Sequence, residues 1–117
     1  MGILDRVKRL TSTMEEENQV RLQDKYCLLD ATAIDRAEAR SRVRICGEVQ
    51  AIQVVPRAGS PWLEVTVGDG TAKAVAVFTG RKKIRGLEPG RGVVLEGVAG
   101  KVDGRIQLMN PAYTLLV

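Results

Sequence analysis

The apolar positions of this chain change period part-way along it. Ile3, Leu4, Val7 and Leu10 recur at i, i+1, i+4 and i+7, a spacing that places all four on one face of a short amphipathic helix. A second helix is predicted to follow. Thr13 with Glu16 three positions on has the form of a capping box, and the acidic run Glu15-Glu16-Glu17 favours a helix N-terminus. Leu22, Tyr26 and Leu29 make the next apolar stripe. Beyond Asp30 the period fades, and Ala31 to Ser41 reads as an irregular lead-in with Ile34 as its anchor.

From Val43 onwards alternation takes over. Val43, Ile45, Gly47 and Val49 are odd-numbered whereas Ile52 and Val54 are even-numbered, so the inward face changes parity between Val49 and Ile52. One extra residue there, a β-bulge, would bend a long first strand so that its halves join two sheets. A second strand, Trp62 to Val67, turns Leu63, Val65 and Val67 to one face. Gly68-Asp69-Gly70-Thr71 then predicts a hairpin turn, because tight primed turns need the positive φ that glycine supplies. The third strand runs from Ala72 to Thr79. The stretch Gly80 to Gly90 has room for one helical turn before its Pro89-Gly90 stop. The fourth strand, Val93 to Val102, is followed by a second turn at Asp103-Gly104. The fifth begins at Arg105, passes Ile106 and Leu108, breaks at Asn110-Pro111 and resumes with Tyr113 and Leu115. Leu63, Val65, Val67, Phe78, Leu95 and Leu108 are the expected core.

At 117 residues the chain has room for one domain of ordinary size. The pattern divides it into a helical N-terminal arm and lead-in, residues 1–40, and an all-β domain, residues 41–117. Charge follows that division: the first part holds seven Lys/Arg against eight Asp/Glu, the second eleven against six. The basic excess therefore lies in the β-domain, where it favours polyanionic partners.

Composition removes several functions. With no histidine, the commonest general base, the Ser-His and Cys-His nucleophile pairs and the usual zinc ligands are all missing. Cys27 and Cys46 form no CxxC and read as small packing residues. The expectation is a non-enzymatic protein with no metal and no cofactor. Charge appears within five residues of Met1, and the longest apolar run is Ala74 to Phe78, so a cytoplasmic protein without a membrane span is expected.

Five strands, a long bent first strand, two hairpins and a short link between strands three and four together describe a five-stranded OB-fold, a Greek-key barrel. Val43-Arg44-Ile45-Cys46-Gly47, Gly68-Asp69-Gly70-Thr71, Ile84 to Gly90, Glu96-Gly97 and Asn110-Pro111-Ala112-Tyr113 carry the likeness. Over residues 41–117 the chain resembles small stand-alone bacterial OB-fold proteins. More distantly it is similar to the wedge domain of RecG-type helicases and to tRNA-anticodon-binding OB domains. The chain departs from those relatives at Ala72, where a second glycine is usual, and at Ala74 and Ala76, where larger apolar residues are usual. The resemblance implies that Ala74, Ala76 and Phe78 point inward and Lys73, Val75, Val77 and Thr79 outward.

It also implies a binding surface on the outer sheet face and the loops joining strands one to two and four to five. On this chain that surface would comprise Arg44, Arg57, Trp62, Thr66, Lys73, Lys101 and Arg105, with the basic run Arg81-Lys82-Lys83 in the link. The expected ligand is single-stranded nucleic acid or structured RNA, bound with weak sequence preference. Basic side chains would neutralise phosphates, and Trp62 would either stack on a base or cover the barrel mouth. Only four aromatic residues are present, fewer than tight single-strand binders usually interleave with their charge. A second reading stays open. Val75 and Val77 as adjacent exposed aliphatics, with Ile3, Leu4, Val7 and Leu10 of the arm, would suit a protein partner or a second copy, and make the barrel an interaction adaptor.

Overall fold

A computed structural model describes residues 14–23, 25 and 30–116. Residues 14–23 and 25 are helical (α1). The expected first helix with Ile3, Leu4, Val7 and Leu10, the capping Thr13, and Tyr26 and Leu29 of the second stripe lie outside the described residues. Leu22 is buried and packs with Cys46 and Val94. Ile34 opens a single 3-10 turn, Ile34–Arg36, and is buried in the main core.

Six strands follow: β1 Arg42–Arg57, β2 Ser60–Gly68, β3 Lys73–Thr79, β4 Gly92–Val102, β5 Arg105–Met109 and β6 Ala112–Leu115. They run β1-β2-β3-β5-β4, and β4 pairs back onto β1, so five strands close into a ring. Only the β3–β5 pairing is parallel. β5 and β6 are the two halves of the expected fifth strand. Both pair antiparallel with β4, with a one-residue change of register at the Asn110-Pro111 break.

The parity change in the first strand is a bulge. Val49 pairs with Val67 and Ala51 with Thr66, leaving Gln50 as the extra residue. Residues 42–48 of β1 lie along β4 and residues 48–57 along β2, the two pairings overlapping at Glu48 just before the bulge. Gly47 sits where the two halves diverge, and a Cβ there would lie 2.6 Å from the Gly68 carbonyl oxygen, so the close approach of β1 to the end of β2 needs glycine.

The interior is continuous: Ile45, Val49, Leu63, Val65, Val67, Ala74, Ala76, Phe78, Val93, Leu95, Ile106 and Leu108 are all buried in one cluster. Each large aliphatic there contributes about 1.5–3 kcal/mol by leaving water. The six expected core residues are all among them, as are the inward-pointing Ala74 and Ala76.

Two local expectations need correcting. The link between β3 and β4 has no helix. It makes two successive turns, Leu87 N–H to the Ile84 carbonyl (3.1 Å) and Arg91 N–H to the Glu88 carbonyl (3.0 Å). Gly86 and Gly90 at φ 84° and 91° break any helical run, while Ile84 and Leu87 drop into the core. The β2–β3 connection is likewise not a two-residue primed turn. It spans residues 69–72 with Asp69 turned inward, as described below. The other two hairpins are tight: Ala58-Gly59 joins β1 to β2 and Asp103-Gly104 joins β4 to β5, all four at positive φ.

Cys46 is buried beside Val94 and Leu22. Burial pushes its thiol up to about 11, with the Arg44 charge opposing and the Asp69 charge adding to the rise. An unfolded thiol titrates near 8.5, so the folded chain holds its proton more tightly across the interval between, and stability present below that interval is lost as pH rises through it. In a Cys27→Ser variant, Cys46 is expected to resist iodoacetamide at pH 8 in the native state and to react fully in denaturant. Ready alkylation of the native protein would show the thiol to be accessible and ionisable.

Candidate nucleic-acid interface

The parity of β2 and β3 that buries Leu63, Val65, Ala74 and Ala76 turns the alternate residues outward. In register, Ala51, Thr66, Val75 and Gln107 form one outer row, and Gln53, Glu64, Val77 and Met109 the next. A cleft of about 430 Å³ lies over these rows, between the β1–β2 ribbon and the β4–β5 turn. Its charged lining is Arg57, Glu64, Asp103 and Arg105; Gln53, Gln107 and Thr66 supply hydrogen-bonding groups and Val75 an apolar patch.

Four of the sequence-predicted residues thus come together in one concavity: Arg57, Thr66, Val75 and Arg105. Arg57 lies over the Trp62 ring, its guanidinium carbon 5.2 Å from the ring centroid, and reaches Glu64 at 4.0 Å. Trp62 itself is half-buried, level with Val55 and Thr79 in the sheet, and is not among the lining residues. Lys101 is exposed near the β4–β5 turn. Lys73 is exposed one residue before Ala74, which pairs with Ile106, so it comes level with Arg105 at the rim. Lys73 also borders a second hollow, between α1 and the barrel, shared with Glu15, Glu48 and Gln50.

Arg81, Lys82 and Lys83 are exposed in the link. Its start is tied to β2 by the Gly80 N–H to Pro61 carbonyl bond (2.8 Å), which sets the basic run beside the Trp62 end of the sheet. Arg44 is placed elsewhere. It projects from the β4-paired half of β1, 3.0 Å from Glu96 Oε1, and donates to the Asp30 carbonyl at 3.1 Å. Val77 corrects the expectation of two exposed aliphatics. It is fully buried on β3, a short side chain between Glu64 and Met109 on its row, while Val75 is half-buried in the cleft.

Two residues outside the cleft hold the ends of β3, and the pattern gave them only as a turn and a break. Asp69 accepts four hydrogen bonds: Oδ2 from the Ile34 N–H (2.9 Å), and Oδ1 from the Thr71 N–H (2.9 Å), the Thr71 hydroxyl (2.6 Å) and the Ala72 N–H (3.3 Å). The Thr71 hydroxyl oxygen in turn accepts from the Asp35 N–H at 3.2 Å. Asp69 so fastens the lead-in to the β2–β3 loop. Asn110 fastens the far end of β3, its N–H donating to the Val77 carbonyl (2.6 Å) and its Oδ1 accepting from the Thr79 N–H (3.0 Å). The signal for both was present as an Asp-Gly and an Asn-Pro pair, residues that bond to their own backbone neighbourhood.

A closed five-strand ring with a bulged first strand and a cleft on its outer face defines an OB-fold binding domain. The comparisons agree: residues 43–116 match the tRNA anti-codon family, an OB-fold nucleic acid binding domain, and the chain belongs to that family. No curated protein matches the chain. Among the described residues no helix is long and apolar enough to cross a membrane, and no His/Cys/Asp/Glu cluster could hold a metal.

Proposed function

We propose that this protein is a non-enzymatic module that binds single-stranded nucleic acid or structured RNA with weak sequence preference, through the outer cleft of residues 41–117. The observation that carries the reading is the cleft itself. It lies on the outer sheet face, has Arg57 and Arg105 at opposite walls, and offers Gln53, Gln107 and Thr66 between them. Glu64 and Asp103 balance the two arginines within the cleft, so net attraction comes from the rim, where Lys73 and Lys101 are exposed and the Arg81-Lys82-Lys83 run follows. Membership of a nucleic-acid-binding family supports the same ligand.

If Arg57, Lys73, Lys101 and Arg105 each neutralise one phosphate of a single strand, log affinity falls against log salt with a slope of roughly −0.7 for each, about −3 in all. Arg105→Ala is expected to flatten that slope by ~0.7, whereas Arg44→Ala, which removes the partner of Glu96 on another face, leaves it unchanged. Titration of a labelled oligonucleotide across a salt series measures both. No binding to single-stranded DNA, single-stranded RNA or structured RNA at low salt would end the proposal.

A further inference from the structure

We infer that Arg57, carried on the indole of Trp62, is the platform on which the cleft stacks an unpaired base. This rests on the nucleic-acid reading of the cleft and adds to it the chemical class of what is recognised, the face of a single-stranded base.

The register brings Arg57 and Trp62 together. β1 and β2 are joined by only two residues, so Arg57 at the end of β1 pairs with Ser60, and Trp62 enters β2 just beyond. Trp62 and Arg57 both belong to the outer face. The guanidinium carbon lies 5.2 Å from the centre of the indole, within range for attraction between a cation and the negative face of a ring. Glu64, on the same face of β2, reaches one edge of the guanidinium at 4.0 Å. These two contacts restrain a side chain that is otherwise 55% exposed.

Arg57 lines the cleft and Trp62 does not, so of the pair it is the guanidinium that a ligand in the cleft meets. A guanidinium is planar and weakly hydrated, and bases stack on it as they do on aromatic rings. Trp62 then acts as a positioning residue for the arginine. Paired bases within a helix have both faces already covered, so such a platform selects unpaired ones. The neighbouring amides of Gln53 and Gln107 offer both donors and acceptors to the base edge.

The test compares two labelled strands of equal length, one of oligothymidylate and one abasic, with the same phosphates. Binding is read by anisotropy at low salt for the wild type and Arg57→Lys, which keeps the charge and removes the plane. Stacking of one base corresponds to a preference of roughly 5- to 150-fold. The wild type is expected to prefer the base-bearing strand within that range. Arg57→Lys is expected to lose the preference for the base-bearing strand, whatever its affinity for the abasic one. Trp62→Leu, with Arg57 retained, is expected to reduce the preference without changing the salt slope. If Arg57→Lys keeps the full preference, the platform lies elsewhere and the inference fails. If the wild type binds both strands equally, no base is stacked and the inference fails while phosphate binding stands. If neither strand binds, both fail.

Discussion

Replacing Asp69 by alanine is expected to destabilise the folded protein by at least about 1–3 kcal/mol, the cost of leaving a buried donor without its acceptor. Asp69 is only 7% exposed and its carboxylate receives four donors, so its removal leaves the Ile34, Thr71 and Ala72 amides without their acceptor. The loss is also long-range. Oδ2 is the atom that holds Ile34, and Ile34 is 1% exposed within the core. Asp69→Asn separates the two roles. Its oxygen can still serve Thr71 and Ala72, but its NH2 would face the Ile34 N–H, donor against donor, so an intermediate loss is expected. Urea unfolding followed by far-UV circular dichroism measures both. An Asp69→Ala midpoint equal to that of the wild type would show that the lead-in is held without it.

Leu95→Ala is expected to lower stability by ~2–5 kcal/mol, the range for a buried leucine whose cavity does not collapse. Leu95 lies in the middle of β4 between Ile45 on one side and Tyr113 on the other, and is 1% exposed. Because β4 is paired on both edges there, the backbone cannot move inward to fill the space. Leu95→Met, close in volume, is expected to lose less than about 1.5 kcal/mol. Equal losses for the two variants would mean that side-chain volume at this position does not matter.

Much of the barrel was legible because a sheet with one buried face writes its register into alternate residues. The shift from Val49 to Ile52 announced the bulge, and Ala74, Ala76 and Phe78 kept one parity through β3. What alternation could not reveal was how outward residues crowd one another. Val77 has the parity of an exposed residue, yet it is 0% exposed because it sits between longer side chains on a central strand. Asp69 read as a turn former, since nothing local announces that its acceptor atoms face Ile34, 35 positions away. Arg44 had the right charge and the right strand, but the bend at Gly47 separates its half of β1 from the cleft. The two-residue hairpin, by contrast, delivers Arg57 and Trp62 to each other, which two residues five apart on a sequence do not disclose.

The chain has a single tryptophan, and it stands on the β1–β2 ribbon beneath a cation rather than in the barrel core. Its intrinsic emission therefore reports the state of that ribbon, while circular dichroism reports the whole ring of strands. Were the ribbon to fray before the barrel opens, the two signals would part along a denaturation curve, and their coincidence would show that the recognition face and the core unfold as one cooperative unit.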